Sequence, residues 1–168
     1  MNLNSRRSAW LAVGLGAAAL ASGSVVLTIL LDLSPCHLCI FQRLLFMALA
    51  VSALLAAALS LAAGRVAGFA SLLVIITGFG TAAFQTWLEM QPPGTASCVG
   101  GDPSAIERLV EWLGERMPGL FLATGFCDEP ELRILGLTLA NASLMAFTTF
   151  FLLALWALFL KPNPRDHA

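Results

Sequence analysis

Four cysteines and one arginine inside an apolar stretch are the residues of this 168-residue chain best suited to chemistry. Cys36-His37-Leu38-Cys39 is a Cys-X-X-Cys pair that follows Pro35 at the start of an apolar run. The thiolate is the reactive form of cysteine, and the positive end of a helix dipole stabilises it. On a helix, positions i and i+3 share a face, so the two sulfurs could open and close a disulfide. Arg43 stands four residues after Cys39, about one helical turn deeper. An ionisable residue inside a membrane span is costly and marks a functional site by default. Its guanidinium could stabilise the Cys39 thiolate or donate to a ligand carbonyl; the alternative is that it snorkels to the headgroups. Cys98 and Cys127 lie far apart in a polar stretch. Four cysteines could also form a zinc site, but structural zinc sites usually hold two close pairs. Two purely structural disulfides are the other alternative. Gln42 reads as a polar contact between helices, and His37 can tune the redox poise of its neighbours. No Ser/His/Asp or paired-carboxylate arrangement is present.

The elements that must position these residues follow from composition. Hydrophobic residues make up 58 % of the chain and charged residues 11 %, whereas roughly a quarter charged is usual for a soluble domain. The apolar residues fall into four runs, about 9–31, 38–63, 66–88 and 134–160, each near the ~20 residues a membrane span needs. Only Asp32 to His37 separate the first two runs, and a tight link around Gly64-Arg65 separates the next two. Such short links require antiparallel neighbours. The expectation is an all-α membrane protein, an antiparallel four-helix transmembrane bundle in one domain covering 1–168. A net charge of −1 without a basic cluster argues against nucleic acid as a partner. The first run is longer than the roughly 7–15 apolar residues of a cleaved signal peptide.

Orientation follows from basic residues in short loops. Arg6, Arg7, Arg65, Lys161 and Arg165 gather at one end, which places both termini in the cytoplasm. Trp10 and Trp156 then belong to the inner interface and Trp87 to the outer one. All four cysteines face the outer compartment, where disulfides persist. The long outer loop spans about 89–133. In it, Asp102-Pro103 reads as an N-cap with proline at the first helical position. Ile106, Leu109, Val110, Leu113 and Met117 then recur at helical spacing until Pro118-Gly119. This short amphipathic helix fits either the membrane interface or the surface of the bundle.

Ser34-Pro35-Cys36-His37-Leu38-Cys39-Ile40-Phe41-Gln42-Arg43 resembles the signature of the bacterial disulfide bond formation protein B (DsbB) family. Pro92-Pro93 before Cys98, Ala123-Thr124-Gly125-Phe126-Cys127 and Leu135-Gly136-Leu137 are similar to the second loop and fourth span of that family. The resemblance implies a multi-pass bacterial inner-membrane enzyme, a protein-disulfide:quinone oxidoreductase. It implies a periplasmic DsbA-like thiol oxidase as partner and ubiquinone or menaquinone as the electron acceptor. Carried over by position, Cys98 would take the mixed disulfide with the partner and Cys127 would attack Cys36. Cys39 would then face the quinone beside Arg43. Two departures stand out. Many relatives carry a basic residue late in span three, where Phe84-Gln85 stand here. Many also read Pro-x-Trp after Leu-Gly-Leu, where Leu139-Ala140-Asn141-Ala142 stand. The competing readings are a non-catalytic disulfide-stapled scaffold, a small metal-binding transport component, and a paralogue serving a dedicated partner.

Overall fold

The structure, a computed structural model, describes residues 6–91, 104–127, 132–134 and 136–159. Cys98, Asp102 and Pro103 lie outside these described residues. The elements in chain order are α1 (Arg6–Leu30), α2 (His37–Ala58), α3 (Leu61–Leu88), α4 (Ala105–Arg116), α5 (Pro118–Phe121), β1 (Arg133–Ile134), β2 (Leu137–Thr138) and α6 (Leu139–Phe159). Among the described residues, α1, α2, α3 and α6 are long and apolar enough to cross a membrane. The shortest, α6, has 21 residues. At 1.5 Å per residue it is about 32 Å long, enough for a hydrocarbon core of about 30 Å. The chain is a multi-pass, all-α membrane protein.

These four helices are apolar on all sides because each faces protein on one side and lipid on the other. They form a ring in which α1 and α3 each lie beside both α2 and α6. The centre is built from Val13 and Ala17 of α1, Leu49 and Ala53 of α2, Ile75 and Ala82 of α3, and Phe147 and Ala154 of α6. Alanine at so many of these positions lets the backbones approach closely, which is how helices gain packing contacts in lipid. Phe46 stacks on Phe147 with ring centroids 4.4 Å apart, and Phe150 meets Phe46 edge-on at 6.3 Å. Gly78 makes that stack possible, since a methyl group there would fall on the Phe147 ring. Large side chains such as Ile29, Val66, Leu73 and Leu152 point outward. A soluble protein would not leave so continuous an apolar surface to water.

Four details differ from the sequence reading. The break between α2 and α3 falls at Leu59-Ser60, and Gly64-Arg65 lie inside α3. Gly64 is used for close approach instead: a Cβ there would stand 3.0 Å from the Ala56 carbonyl oxygen. The fourth long helix begins at Leu139 because residues before it pair as a small antiparallel ribbon, Arg133 with Thr138 and Ile134 with Leu137. Gly136 turns that ribbon at φ +84°, a conformation glycine adopts without strain. The Thr138 hydroxyl accepts a hydrogen bond from Asn141 N–H at 3.2 Å and caps α6. Helix α4 is capped by Ser104 rather than by Asp102. Ser104 Oγ accepts from Glu107 N–H at 3.2 Å, and the Glu107 carboxylate accepts from Ser104 N–H at 2.6 Å. This reciprocal box satisfies two otherwise orphaned donors. Finally, Trp10 is fully buried, packed over Gly68, so it is not an interface residue.

Candidate functional site

The link between α1 and α2 sets the first sulfur. Asp32 turns the chain with φ +49°, a left-handed conformation that a short polar side chain tolerates. Ser34 and Pro35 then run to Cys36, the N-cap of α2 in extended conformation. Its sulfur accepts from Cys39 N–H at 3.4 Å. The Cys36 thiol also meets Cys39 Sγ at 3.3 Å. The pair therefore sits on the positive end of α2, as a Cys-X-X-Cys pair at a helix start should.

A third sulfur arrives from the segment after α5. Thr124 N–H and Gly125 N–H both donate to the Pro35 carbonyl, at 3.0 and 3.3 Å. The segment lies so close to the link that a Cβ on Gly125 would overlap the Ser34 carbonyl oxygen. This seat buries Cys127 beside Cys36 and hydrogen-bonds the two sulfurs. That bond, then the one to Cys39, then burial hold the Cys36 thiol well above the ordinary cysteine range. Three cysteines thus meet at one point, Cys36 and Cys127 buried and Cys39 half-buried.

Two glutamines complete the sulfur environment. Gln85, on the last turns of α3, donates through Nε2 to Cys39 Sγ at 3.1 Å and to Cys36 Sγ at 3.6 Å. Its carbonyl oxygen accepts from Gln42 Nε2 at 2.9 Å. Both glutamines are buried. Gln42 is indeed a contact between helices, but one that leads to the sulfurs.

Arg43 is 5 % exposed and does not snorkel. Nε donates to Ser24 Oγ at 3.0 Å, Nη2 to Thr28 Oγ1 at 2.6 Å and to the Ser24 carbonyl at 3.2 Å, and Nη1 to the Leu120 carbonyl at 2.8 Å. A guanidinium has five N–H donors, so these four bonds leave one on Nη1. Arg43 therefore ties α2 to α1 and to α5. Above it, Val110 of α4 and Phe121 of α5 pack on Ile40. His37 Nε2 stands 3.9 Å from Glu111 Oε1 on α4. The amphipathic helix thus packs on the bundle with Val110, while Leu109, Trp112 and Met117 stay exposed.

A cavity of about 290 Å³ opens below the sulfurs. Cys36, Cys39, Cys127, Gln42, Arg43 and Gln85 line its polar side; Leu20, Gly23, Phe46, Ala142 and Ala146 line its apolar side. Its size lies at the lower end of small-molecule pockets, about 300–1,000 Å³. The structure brings Cys36, Cys39, Cys127 and Arg43 to this one cavity. Cys98 falls outside the described residues. Sequence reasoning missed Ser24 and Thr28 as parts of the site. It met Gln85 and Gly125 only through the family resemblance, Gln85 where many relatives carry a basic residue and Gly125 inside the motif that ends at Cys127.

The chain matches the family model "Disulfide bond formation protein DsbB" over residues 6–157. It is 46 % identical over 142 residues to disulfide bond formation protein B of Dechloromonas aromatica, covering 83 % of this chain and 84 % of the relative. The protein of the same name from Azoarcus sp. is 37 % identical over 156 residues, covering 92 % and 93 %. That of Neisseria gonorrhoeae is 35 % identical over 158 residues, covering 90 % and 94 %.

Proposed function

The chain belongs to the DsbB family, whose members serve disulfide bond formation, and on that premise we propose that it reoxidises a periplasmic DsbA-like thiol oxidase and passes the electrons to a membrane quinone. The observation that carries this reading is the meeting of three cysteine sulfurs at the mouth of a largely apolar cavity. Two purely stapling disulfides would need neither the cavity nor Cys127 seated beside Cys36.

The proposed sequence moves two electrons inward. The reduced partner attacks a Cys98–Cys127 disulfide at Cys98, forming a mixed disulfide and releasing Cys127 as thiolate. The partner's second thiolate then resolves the mixed disulfide and leaves as a disulfide, with Cys98 and Cys127 reduced. Cys127 attacks the Cys36–Cys39 disulfide at Cys36, and Cys39 departs as thiolate. Cys98 next attacks Cys127, restoring Cys98–Cys127 and releasing Cys36. Two electrons now rest on Cys36 and Cys39. The negative charge is assigned to Cys39, on the first turn of α2, where the helix dipole favours a thiolate.

The residues around the cavity fit a quinone. An apolar wall suits its ring and tail, and the spare Nη1 donor of Arg43 suits a ring carbonyl. Bound there, a quinone would supply a two-electron acceptor strong enough for a strongly oxidising partner. Arg43 would orient it, and Phe46, Leu20 and Ala146 would exclude water. In the cell, this reading sets the chain in the bacterial inner membrane, with both termini cytoplasmic and the cysteines on the periplasmic side.

The test mixes purified protein, a reduced thioredoxin-fold oxidase and a soluble ubiquinone or menaquinone, and follows quinone absorbance. Turnover that disappears with Cys39→Ser and needs more quinone with Arg43→Ala supports the reading. No turnover with either quinone and several such oxidases would overturn it.

A further inference from the structure

The two buried glutamines form a chain of amides that ends on the sulfurs. Gln42 Nε2 donates to Gln85 Oε1, and Gln85 Nε2 donates to Cys39 at 3.1 Å and to Cys36 at 3.6 Å. The two ends of a glutamine amide have nearly the same shape, so sterics alone do not choose which faces the sulfurs. The neighbour that donates to the oxygen makes the choice. Gln42, one residue before Arg43 on α2, is that neighbour. We propose that Gln85 is a catalytic hydrogen-bond donor to the reduced cysteine pair, and that Gln42 is a positioning residue holding the Gln85 amide with its N–H groups toward sulfur. The proposal rests on the thiol:quinone reading above, since it assigns a task within that electron path.

The physical argument concerns charge. Reducing Cys36–Cys39 places negative charge at the edge of the membrane, where a bare anion is poorly solvated. A donor aimed at the sulfur favours the charged form over the neutral thiol and over the disulfide. An amide does so without adding a second net charge. Arg43 is committed elsewhere: four of its donors go to Ser24, Thr28 and Leu120, and the remaining Nη1 donor is the one assigned above to a ring carbonyl. Gln85 is 3 % exposed and Gln42 2 %, so water does not replace the donor when it is lost. A buried hydrogen bond to a charged group affects an equilibrium by about tenfold or more.

The experiment measures the reduction potential of the Cys36–Cys39 pair in the purified full chain, equilibrated in thiol redox buffers. Gln85→Met keeps the length and removes the donor. Gln42→Met removes the neighbour that aims it, and the double variant closes the cycle. Gln85→Met should lower the potential by about 30 mV, a tenfold change for a two-electron couple. Gln42→Met should lower it less, and the double variant should match Gln85→Met, because Gln42 acts only through Gln85. An unchanged potential in a folded Gln85→Met protein overturns the proposal. So does a Gln42→Met effect that persists in full when Gln85 is already methionine. Unfolding temperature in detergent identifies any variant that is merely misfolded; Gln85→Leu then takes its place. Wild-type quinone turnover is measured beside these. Its absence would defeat the electron-path reading, whereas the potentials test the amide chain separately.

Discussion

Replacing Gly125 with alanine separates the positioning of Cys127 from its chemistry. The backbone at Gly125 has an ordinary φ, so alanine introduces no conformational strain there. Its methyl group would instead stand inside the Ser34 carbonyl oxygen and 3.0 Å from the Ser34 carbonyl carbon. Both obstacles are backbone of the link before α2, so the Cys127 segment must withdraw, by about 1.5 Å to restore an ordinary carbon–oxygen contact. Withdrawal also strains the bonds from Thr124 and Gly125 to Pro35, each worth about 1 kcal/mol. Global stability should change little, because the long helices do not depend on that segment. Exchange between Cys127 and Cys36 should suffer far more, since a 1 Å misplacement can cost about a hundredfold in rate. The assay reduces the protein with limiting partner, quenches with acid, and follows the redox state of Cys36 by alkylation and mass spectrometry. The expected result is electron arrival at Cys36 slowed about a hundredfold, with the partner's attack on Cys98 unaffected. Arrival within a factor of two of wild type would refute the idea that the Gly125 seat presents Cys127.

Arg43→Met should loosen α5 from the bundle by about 1.5–3 kcal/mol, the contribution of one hydrogen bond from a charged group, since only the Nη1 bond to the Leu120 carbonyl reaches α5. Faster amide exchange at Leu122, whose N–H bonds to Pro118 across α5, would report it. Arg43→Lys should not restore protection, because one ammonium cannot span Ser24, Thr28 and Leu120. The Glu107 carboxyl lies below the usual range, first because the Ser104 backbone N–H donates to it. A lowered folded value means stabilisation that is fully present above the unfolded glutamate pKa of about 4.3 and is lost as pH falls through the folded value. The first turn of α4 should therefore fray in acid, and Glu107→Gln should flatten that dependence; exchange of the Ser104 and Glu107 amides is the measurement. Gly78→Val should disrupt the Phe46–Phe147 stack by overpacking, at about 1–3 kcal/mol, and lower the unfolding temperature in detergent.

The parts of this molecule readable from sequence are those fixed by local pattern. Four apolar runs of span length separated by short links leave few arrangements other than an antiparallel bundle. Cys36 and Cys39 at i and i+3 could be paired on a helix without any structure. The capping box of α4 was present as Ser104-Ala105-Ile106-Glu107 and was passed over for Asp102-Pro103, although both are acceptable helix starts. What stayed hidden depends on contacts between distant segments. Nothing local says that Gln85 would meet Gln42 across two helices, or that Ser24 and Thr28 on α1 would receive the Arg43 guanidinium. Gly125 stands in the motif before Cys127, but its task depends on the Ser34 carbonyl packed against it, which no local pattern shows. Trp10 fitted an aromatic belt by its distance from the helix end, but helix rotation about its own axis decides whether a side chain meets lipid or protein.

The contrast between α5 and the residues after it has a mechanical consequence. Phe121 is anchored on Ile40, and the carbonyl of the preceding residue, Leu120, is held by Arg43. From Leu122 to Cys127, by comparison, the chain is held by two backbone hydrogen bonds to Pro35 and by the packing of Ala123 and Cys127. The segment is therefore a short leash on a firm post. Released from Pro35, six residues extend at most about 20 Å. Cys127 can move within that radius only by giving up its packing against Cys36, Leu38 and Leu88, and only as far as the chain leading on to β1 allows. On the proposed electron path, Cys36 and Cys98 must both come within this sphere to exchange with Cys127. Lengthening the leash would widen the search, while shortening it by two or three residues would hold Cys127 at Cys36 permanently.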